Sequence, residues 1–383
     1  MAKETKKEKE VDFFKDLKEK YNAYFEPEKI KTGILPLDLV LNGSLQTGSL
    51  IELAGESQSG KSTLVLNLAK NLAEKGYKTL YIDAEGSVKD DMIKGIGLEP
   101  YVITEKKQNN KFIRVCEARY SVVEQIINGA LTTGEFKLIV IDSLTALGND
   151  DYINIDSGKD AVDTRIGMDA QLNSRFLKKL SALKTTYNCI FIVINQTRVD
   201  LSRTFMPTHE STGGQATKFY PDIRLFMKVI GKIEEEMELI VGTKKVPIGA
   251  KCEIIAKKSR VGAGFIPFPL TIYYGKGVYN ADTYFVLLQT ISAGKTKVLE
   301  SVTNKTYLLH LPSDTYKTTN GEKGAVNLIL EHYAEVEKVA SEFLDDYFKK
   351  VENNELKTGK ETFTSVDHDI NIDDTIEVAE YDI

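Results

Sequence analysis

Residues Gly55-Glu56-Ser57-Gln58-Ser59-Gly60-Lys61-Ser62 have the types and spacing of a phosphate cradle. Glycines let the backbone curl until successive N–H groups face one anion, and the N-terminus of a following helix adds partial positive charge. Lys61 is then placed to reach the β/γ-phosphates of ATP, Ser62 to ligate Mg2+, and Thr63 to follow in the first helical turn. An ordinary Gly-rich turn is the bland alternative. The flanks argue against it, because an apolar run (50–54) leads in and a helical pattern (62–75) leads out.

Three further strand-like runs end in groups that suit the same chemistry. Lys137-Leu138-Ile139-Val140-Ile141-Asp142-Ser143 closes on a carboxylate, and beside a phosphate loop Asp142 is placed to polarise the Mg2+ shell. Thr79-Leu80-Tyr81-Ile82-Asp83 leads into Ala84-Glu85. A carboxylate just past a strand's C-terminal end faces the crevice where doubly wound sheets bind ligands. Glu85 is therefore the candidate for orienting an attacking water, ahead of Asp83, with a helix cap or a solvated turn acid as the structural alternative. The run 189–195 ends at Gln196, whose amide can bond a γ-phosphate and lose that bond on hydrolysis.

Two polar segments could meet a nucleic acid. Residues 197–217 contain few apolar side chains, Pro207 and the Gly213-Gly214 pair, and read as a loop too long to be decorative in a compact domain. Arg198, Arg203 and His209 offer cations for phosphates, and Phe205 offers a ring to bases. An earlier loop, 149–165, ends at Arg165 and leads into a helix bearing Arg175, Lys178 and Lys179. Either segment alone would more often be just solvated surface.

The elements that must position these groups follow an α/β pattern. Strand candidates 50–54, 78–83, 137–142 and 189–195 are near-continuous apolar runs, as parallel strands buried on both faces should be, and helical patterns separate them. A β-rich stretch covers 223–279, with Gly231 and Gly242 read as turns, and a smaller α/β region follows, closing in a helix at about 324–350. The expected divisions are an N-terminal segment (1–30) with a short helix over 11–25, a core (31–282), a small C-terminal α/β domain (283–350) and a disordered acidic tail (351–383). At 383 residues the chain can bury one large core with accessories. Net charge is −6, so affinity for nucleic acid must come from a local basic face. Cys116, Cys189 and Cys252 are too few and too scattered for a disulfide framework or a zinc site. No signal peptide, transit sequence or membrane span is visible, which points to a cytoplasmic protein without a membrane partner.

Together these residues resemble the RecA family of homologous-recombination ATPases. Thr32-Gly33-Ile34-Leu35-Pro36-Leu37-Asp38 is similar to the family's entry to its core, Tyr81-Ile82-Asp83-Ala84-Glu85 to the strand carrying its catalytic glutamate, and Ile141-Asp142-Ser143-Leu144 to its second nucleotide strand. Ile194-Asn195-Gln196-Thr197-Arg198 resembles the opening of its second DNA-binding loop, and Ser211-Thr212-Gly213-Gly214-Gln215-Ala216-Thr217-Lys218-Phe219-Tyr220 its close. The resemblance covers about residues 25–347. It implies nucleotide-site roles for 55–63, Glu85, Asp142, Ser143 and Gln196, and places Gly167 in the first DNA loop and Arg198, Phe205, Gly213 and Gly214 in the second. It also matches Lys258 and Arg260 to basic positions that reach a neighbouring subunit's γ-phosphate.

Departures from the bacterial pattern include Met92 where an aromatic is expected against adenine, Asp169 and Gln171 after the first loop, Asp200 in the second, and Pro221-Asp222-Ile223-Arg224 beyond Tyr220. They resemble phage-encoded recombinases of the UvsX type, which makes an infected host's cytoplasm an alternative to a bacterial one. The implied function is ATP-dependent pairing and strand exchange by a helical homo-oligomer on single-stranded DNA, acting on homologous duplex DNA. A single-strand-binding protein or a loading mediator is a further candidate partner. A ring-forming motor on the same core and a non-catalytic recombination mediator are the rival readings.

Overall fold

A computed structural model of the chain describes residues 26–103, 110–148, 162–200, 208–211, 216–239, 242–260, 266–289, 292–293 and 296–352. The expected N-terminal helix and acidic tail lie outside these residues. The described residues separate into two compact units between Thr283 and Tyr284.

The first unit opens with β1 (Lys29–Ile30), α1 (Leu35–Val40) and β2 (Leu45–Gln46), followed by β3 (Leu50–Gly55), α2 (Lys61–Glu74), β4 (Lys78–Asp83) and α3 (Asp90–Ile96). Next come β5 (Phe112–Val115), α4 (Tyr120–Thr132), β6 (Phe136–Asp142), α5 (Val162–Thr186), β7 (Ile190–Asp200), β8 (Thr208–Ser211) and α6 (Ala216–Phe219). The unit closes with β9 (Ile223–Leu239), β10 (Gly242–Ser259), β11 (Phe268–Tyr273) and β12 (Gly277–Tyr279), and α7 (Ala281–Leu288) contains the division between the units.

β1 and β2 pair with each other; the other strands form one sheet in the order β12-β11-β10-β9-β3-β7-β6-β4-β5, with β8 beside β7. From β9 to β5 neighbours run parallel, and β10, β11 and β12 add an antiparallel margin. The α/β class expected from the alternating pattern is what the chain adopts. Period-two alternation divides the strand residues between two cores. Ile51, Leu53, Tyr81, Leu138, Val140 and Ile192 pack on one face with Leu64, Leu68 and Leu72 of α2. Leu50, Leu80, Ile82, Ile139, Ile141 and Phe191 pack on the other with Val123 and Ile127 of α4 and Phe176, Leu177 and Leu180 of α5.

Several expected elements are redrawn. The run at 189–195 continues as β7 to Asp200 and pairs antiparallel with β8, so the ends of the predicted 197–217 loop are strand, with Thr197 opposite Ser211 and Val199 opposite His209. Gly231 lies inside β9 rather than in a turn. There Lys251 faces Gly231 and Cys252 faces Val229, so Ile230 is the extra residue of a bulge. β5 was not anticipated; its four residues include Arg114, which breaks the apolar run expected of a buried strand. The second unit contains β13 (Ser292–Ala293), β14 (Thr296–Lys297), the antiparallel set β15 (Leu299–Ser301), β16 (Tyr307–His310) and β17 (Thr315–Thr318), then α8 (Gly321–Glu331) and α9 (Tyr333–Glu352). The helix expected over 324–350 is thus two helices, broken at His332.

Candidate active site

Sheet register brings together groups far apart in sequence. Gly55 at the end of β3 pairs with Gln196 in β7, and Asp83 at the end of β4 pairs with Asp142 at the end of β6. Because β3, β7, β6 and β4 are consecutive and parallel, the loop after β3, Gln196, Asp142 with Ser143, and Glu85 all sit along one C-terminal edge.

The phosphate loop joins β3 to α2, whose N-cap is Gly60 in the left-handed region (φ 86°). A Cβ there would lie 2.4 Å from Ile272 Cδ1, and one at Gly55 would lie 2.5 Å from the Met227 carbonyl oxygen, so both positions require glycine. Lys61 Nζ donates to the carbonyls of Gly55 (3.0 Å) and Glu56 (2.6 Å). Burial lowers the Lys61 ammonium's pKa, against the opposing pull of Asp142, Glu85 and Glu56.

Asp142 is buried and accepts a hydrogen bond from the Tyr81 hydroxyl at 2.5 Å, and it is also hydrogen-bonded to the Ser62 side chain. Burial raises its carboxyl pKa; the Tyr81 and Ser62 hydrogen bonds oppose the rise, and Glu85 and Asp83 add to it by repulsion. Burial pushes the Tyr81 hydroxyl well above its ordinary range as well. Glu85 Oε1 accepts from Ser143 Oγ and from Gln196 Nε2 at 3.2 Å. Asp83 is used differently: its carboxylate accepts the backbone N–H groups of Ser87 (3.0 Å) and Val88 (3.1 Å), shaping the turn that carries Glu85.

These groups line a cavity of about 600 Å³, a size suited to a nucleotide. Ser57, Gln58, Ser59, Gly60, Lys61, Ser62 and Thr63 form its floor, with Glu85, Asp142, Ser143 and Gln196 to one side and Met92 also in the lining. The sequence reading missed Lys232, Pro247 and Tyr274. Lys232 and Pro247 belong to the long β9–β10 pair, and Tyr274 to the turn after β11. All three come from the antiparallel margin of the sheet, whose path back over the phosphate loop has no signature in local sequence.

The remaining candidates are more dispersed. Among the described residues lining the cavity, neither Lys258 nor Arg260 appears. Lys258 Nζ instead donates to the carbonyls of Lys218 and Phe219 at the end of α6, both at 3.0 Å, and Arg260 Nη1 pairs with Asp222 Oδ1 at 3.0 Å. Burial lowers the Lys258 pKa, and the neighbouring Arg260 charge reinforces this. Arg175 and Lys178 are exposed along α5. The backbone of Arg165 and Gly167 belongs to α5 and that of Arg198 to β7, where it pairs with Glu210. Arg203, Phe205, Gly213 and Gly214 lie outside the described residues. Cys189 and Cys252 are buried, with thiols pushed up to about 12 and about 11 by burial, as inert core cysteines should be.

Comparison with known proteins bears on the whole first unit. The profile of the RecA N-terminal domain matches residues 10–279, well over half of the chain. The chain belongs to the RecA family. It is 29% identical over 254 residues to Protein RecA of Rickettsia bellii strain RML369-C, covering 66% of this chain and 67% of that protein. It is 31% identical over 256 residues to Protein RecA of Cereibacter sphaeroides strain ATCC 17023, covering 66% and 68%. As a RecA-family member it is an ATP-dependent homologous recombinase, and its enzymatic activity is DNA-dependent ATP hydrolysis. Among the described residues no helix is long and apolar enough to cross a membrane.

Proposed function

We propose that the cavity at the sheet's C-terminal edge is one half of an ATP site that a neighbouring subunit completes. The observation that carries this reading is the convergence of Lys61, Asp142, Glu85 and Gln196 on one cavity from four adjacent strands, while Lys258 and Arg260 lie outside their own chain's cavity. The ATP polyphosphate lies along the loop N–H groups with Lys61 as its cation. Glu85, oriented by Ser143, positions the attacking water, and Gln196 senses the γ-phosphate. Met92 and Tyr274 are the side chains available to the base.

The donor set suits Mg2+. Among the described residues no cluster of three or more His, Cys, Asp or Glu could hold a metal by itself. Mg2+ takes few protein oxygens and completes its shell with phosphate and water, and the hydrogen-bonded pair of Ser62 and Asp142 supplies hard oxygens of that kind. Ser62 and Asp142 would hold the ion, which when bound neutralises charge on the β- and γ-phosphate oxygens.

Head-to-tail repetition of such a split site is heterologous and need not close, which gives a helical filament able to cover DNA of any length. In our reading Lys258 and Arg260 stabilise charge on the neighbour's transferring phosphate, so turnover depends on assembly. Arg165, Arg175, Lys178, Arg198 and Arg203 neutralise DNA phosphates, Phe205 contacts bases, and Gly167, Gly213 and Gly214 let the loop backbones approach the strand. Divergence at Met92, Asp200 and Asp222 fits a phage-type member, with a single-strand-binding protein or mediator as a loading partner.

Steady-state ATP hydrolysis with and without single-stranded DNA tests the reading, with Glu85→Gln as control. Strong stimulation that the variant abolishes, together with filaments in electron micrographs, is expected. Closed rings, or turnover indifferent to DNA, would instead identify a motor built on the same core.

A further inference from the structure

Asp222 stands in the one stretch after Tyr220 that departs from the bacterial pattern, and every polar group it has is engaged. Its backbone N–H donates to the Leu50 carbonyl (2.8 Å), and its own carbonyl accepts from the Arg260 N–H (3.2 Å). Its Oδ2 accepts from the Leu50 N–H (2.9 Å) and from Lys184 Nζ, and its Oδ1 accepts from Arg260 Nη1 (3.0 Å). Arg260 is therefore held to one residue by both backbone and guanidinium, at the point where β10 ends.

The three side chains differ in burial. Those of Asp222 and Lys184 are about one-tenth exposed, whereas that of Arg260 is 60% exposed. Lys184 and the Leu50 N–H already compensate the buried carboxylate. An ion pair to so exposed a guanidinium adds little stability, so stability does not explain the contact. What it does do is fix one arm of a planar fork, Nη1, at Asp222 Oδ1. Two cations share the single carboxylate, so the cluster keeps one net positive charge and Arg260's field is not cancelled.

We infer that Asp222 is a positioning residue that preorganises Arg260 for the nucleotide of a neighbouring subunit. The inference rests on the split-site reading above and deepens it. Ordering a long, flexible cation before assembly removes an entropic cost that would otherwise fall on the transition state. Because Asp222 is also hydrogen-bonded to Leu50, the first residue of β3, the cation is referenced to the strand that carries its own chain's phosphate loop.

The test uses full-length protein, ATP, Mg2+ and a single-stranded polynucleotide. Lys184→Gln with Asp222→Asn removes both buried charges while keeping hydrogen-bonding groups, which guards against a folding failure. We expect DNA-stimulated kcat to fall about 10- to 100-fold with little change in KM for ATP. Lys184→Gln alone should leave kcat near that of the unmodified protein. Each variant is then mixed with an equal amount of Glu85→Gln, which cannot hydrolyse ATP but carries an intact Arg260. In random filaments about a quarter of interfaces then pair an intact cis half with an intact Arg260, so hydrolysis should recover to that order.

Recovery for Arg260→Ala tests the split site itself, and its failure would overturn that reading. Recovery for Arg260→Ala but not for the Lys184/Asp222 double variant would leave the split site standing and overturn the role of Asp222, placing its effect in its own chain's site. An unchanged kcat in the double variant would overturn it too.

Discussion

On the proposed split-site reading, the two halves of the ATP site are built in opposite ways. In the cis half Lys61 and Asp142 are buried, Lys61 held by the carbonyls of Gly55 and Glu56 and Asp142 by the side chains of Tyr81 in β4 and Ser62 in α2. In the trans half Arg260 lies mostly in solvent, held through a single carboxylate, and Lys258 rests on carbonyls at the end of α6. The contrast follows from what each must do. Groups that hold the triphosphate gain from a dry, preorganised setting. Groups offered to another subunit must stay accessible until it arrives, so only their direction can be set in advance.

Four experiments would break or sharpen this contrast. Glu85→Gln should lower DNA-stimulated kcat by up to about 10⁴-fold while ATP still binds, as read by turnover and by titration with a fluorescent nucleotide. Equal loss of binding would mean that Glu85 builds the pocket instead. Arg260→Ala should lower kcat by about 10³-fold and leave the ATP affinity of isolated subunits unchanged. A weakened affinity in dilute, DNA-free protein would place Arg260 in its own chain's site. Arg175→Ala with Lys178→Ala should make the salt dependence of single-strand binding shallower by about 1 to 1.5 in log–log slope, without changing nucleotide affinity. An unchanged slope would remove α5 from the DNA-binding surface.

The smallest effect concerns stability. Asp38 is buried with its Oδ1 accepting the Thr32 N–H at 2.8 Å, and burial raises its pKa from 3.8 to about 6. A raised folded-state pKa gives stability that is fully present below about pH 4 and lost as pH rises through about 6. Asp38→Asn keeps the acceptor without the charge. It should match the unmodified protein near pH 4 and exceed it by about 3 kcal/mol at pH 7 in denaturant melts. A constant difference across that window would mean the carboxyl titrates normally.

Much of the cis half was legible because local chemistry and sheet topology coincide. A glycine loop between strand and helix, and acids just past apolar runs, can only meet if those strands lie side by side and parallel, as β3, β7, β6 and β4 do. Lys232 and Tyr274 were not legible, since the antiparallel margin reaches the cavity through long-range register that leaves no local pattern. The β7–β8 pairing was hidden for a similar reason: the polar residues from Thr197 to Ser211 have the composition of a loop. Asp222 was visible only as an oddity of sequence. Its meaning depends on partners 38 positions away on either side, in Lys184 and Arg260, and on Leu50, 172 positions away.

A split site has a direct kinetic signature in the length of the DNA. ATP hydrolysis per bound subunit should be measured on single-stranded oligonucleotides of increasing length, at saturating ATP and Mg2+. On an oligonucleotide that accommodates one subunit, stimulation should be near zero, because no neighbour supplies Arg260. The rate per subunit should then climb with length to a plateau as the fraction of subunits with a neighbour approaches one. Full stimulation on the shortest oligonucleotide would show that one chain holds a complete site, and would contradict the division into cis and trans halves.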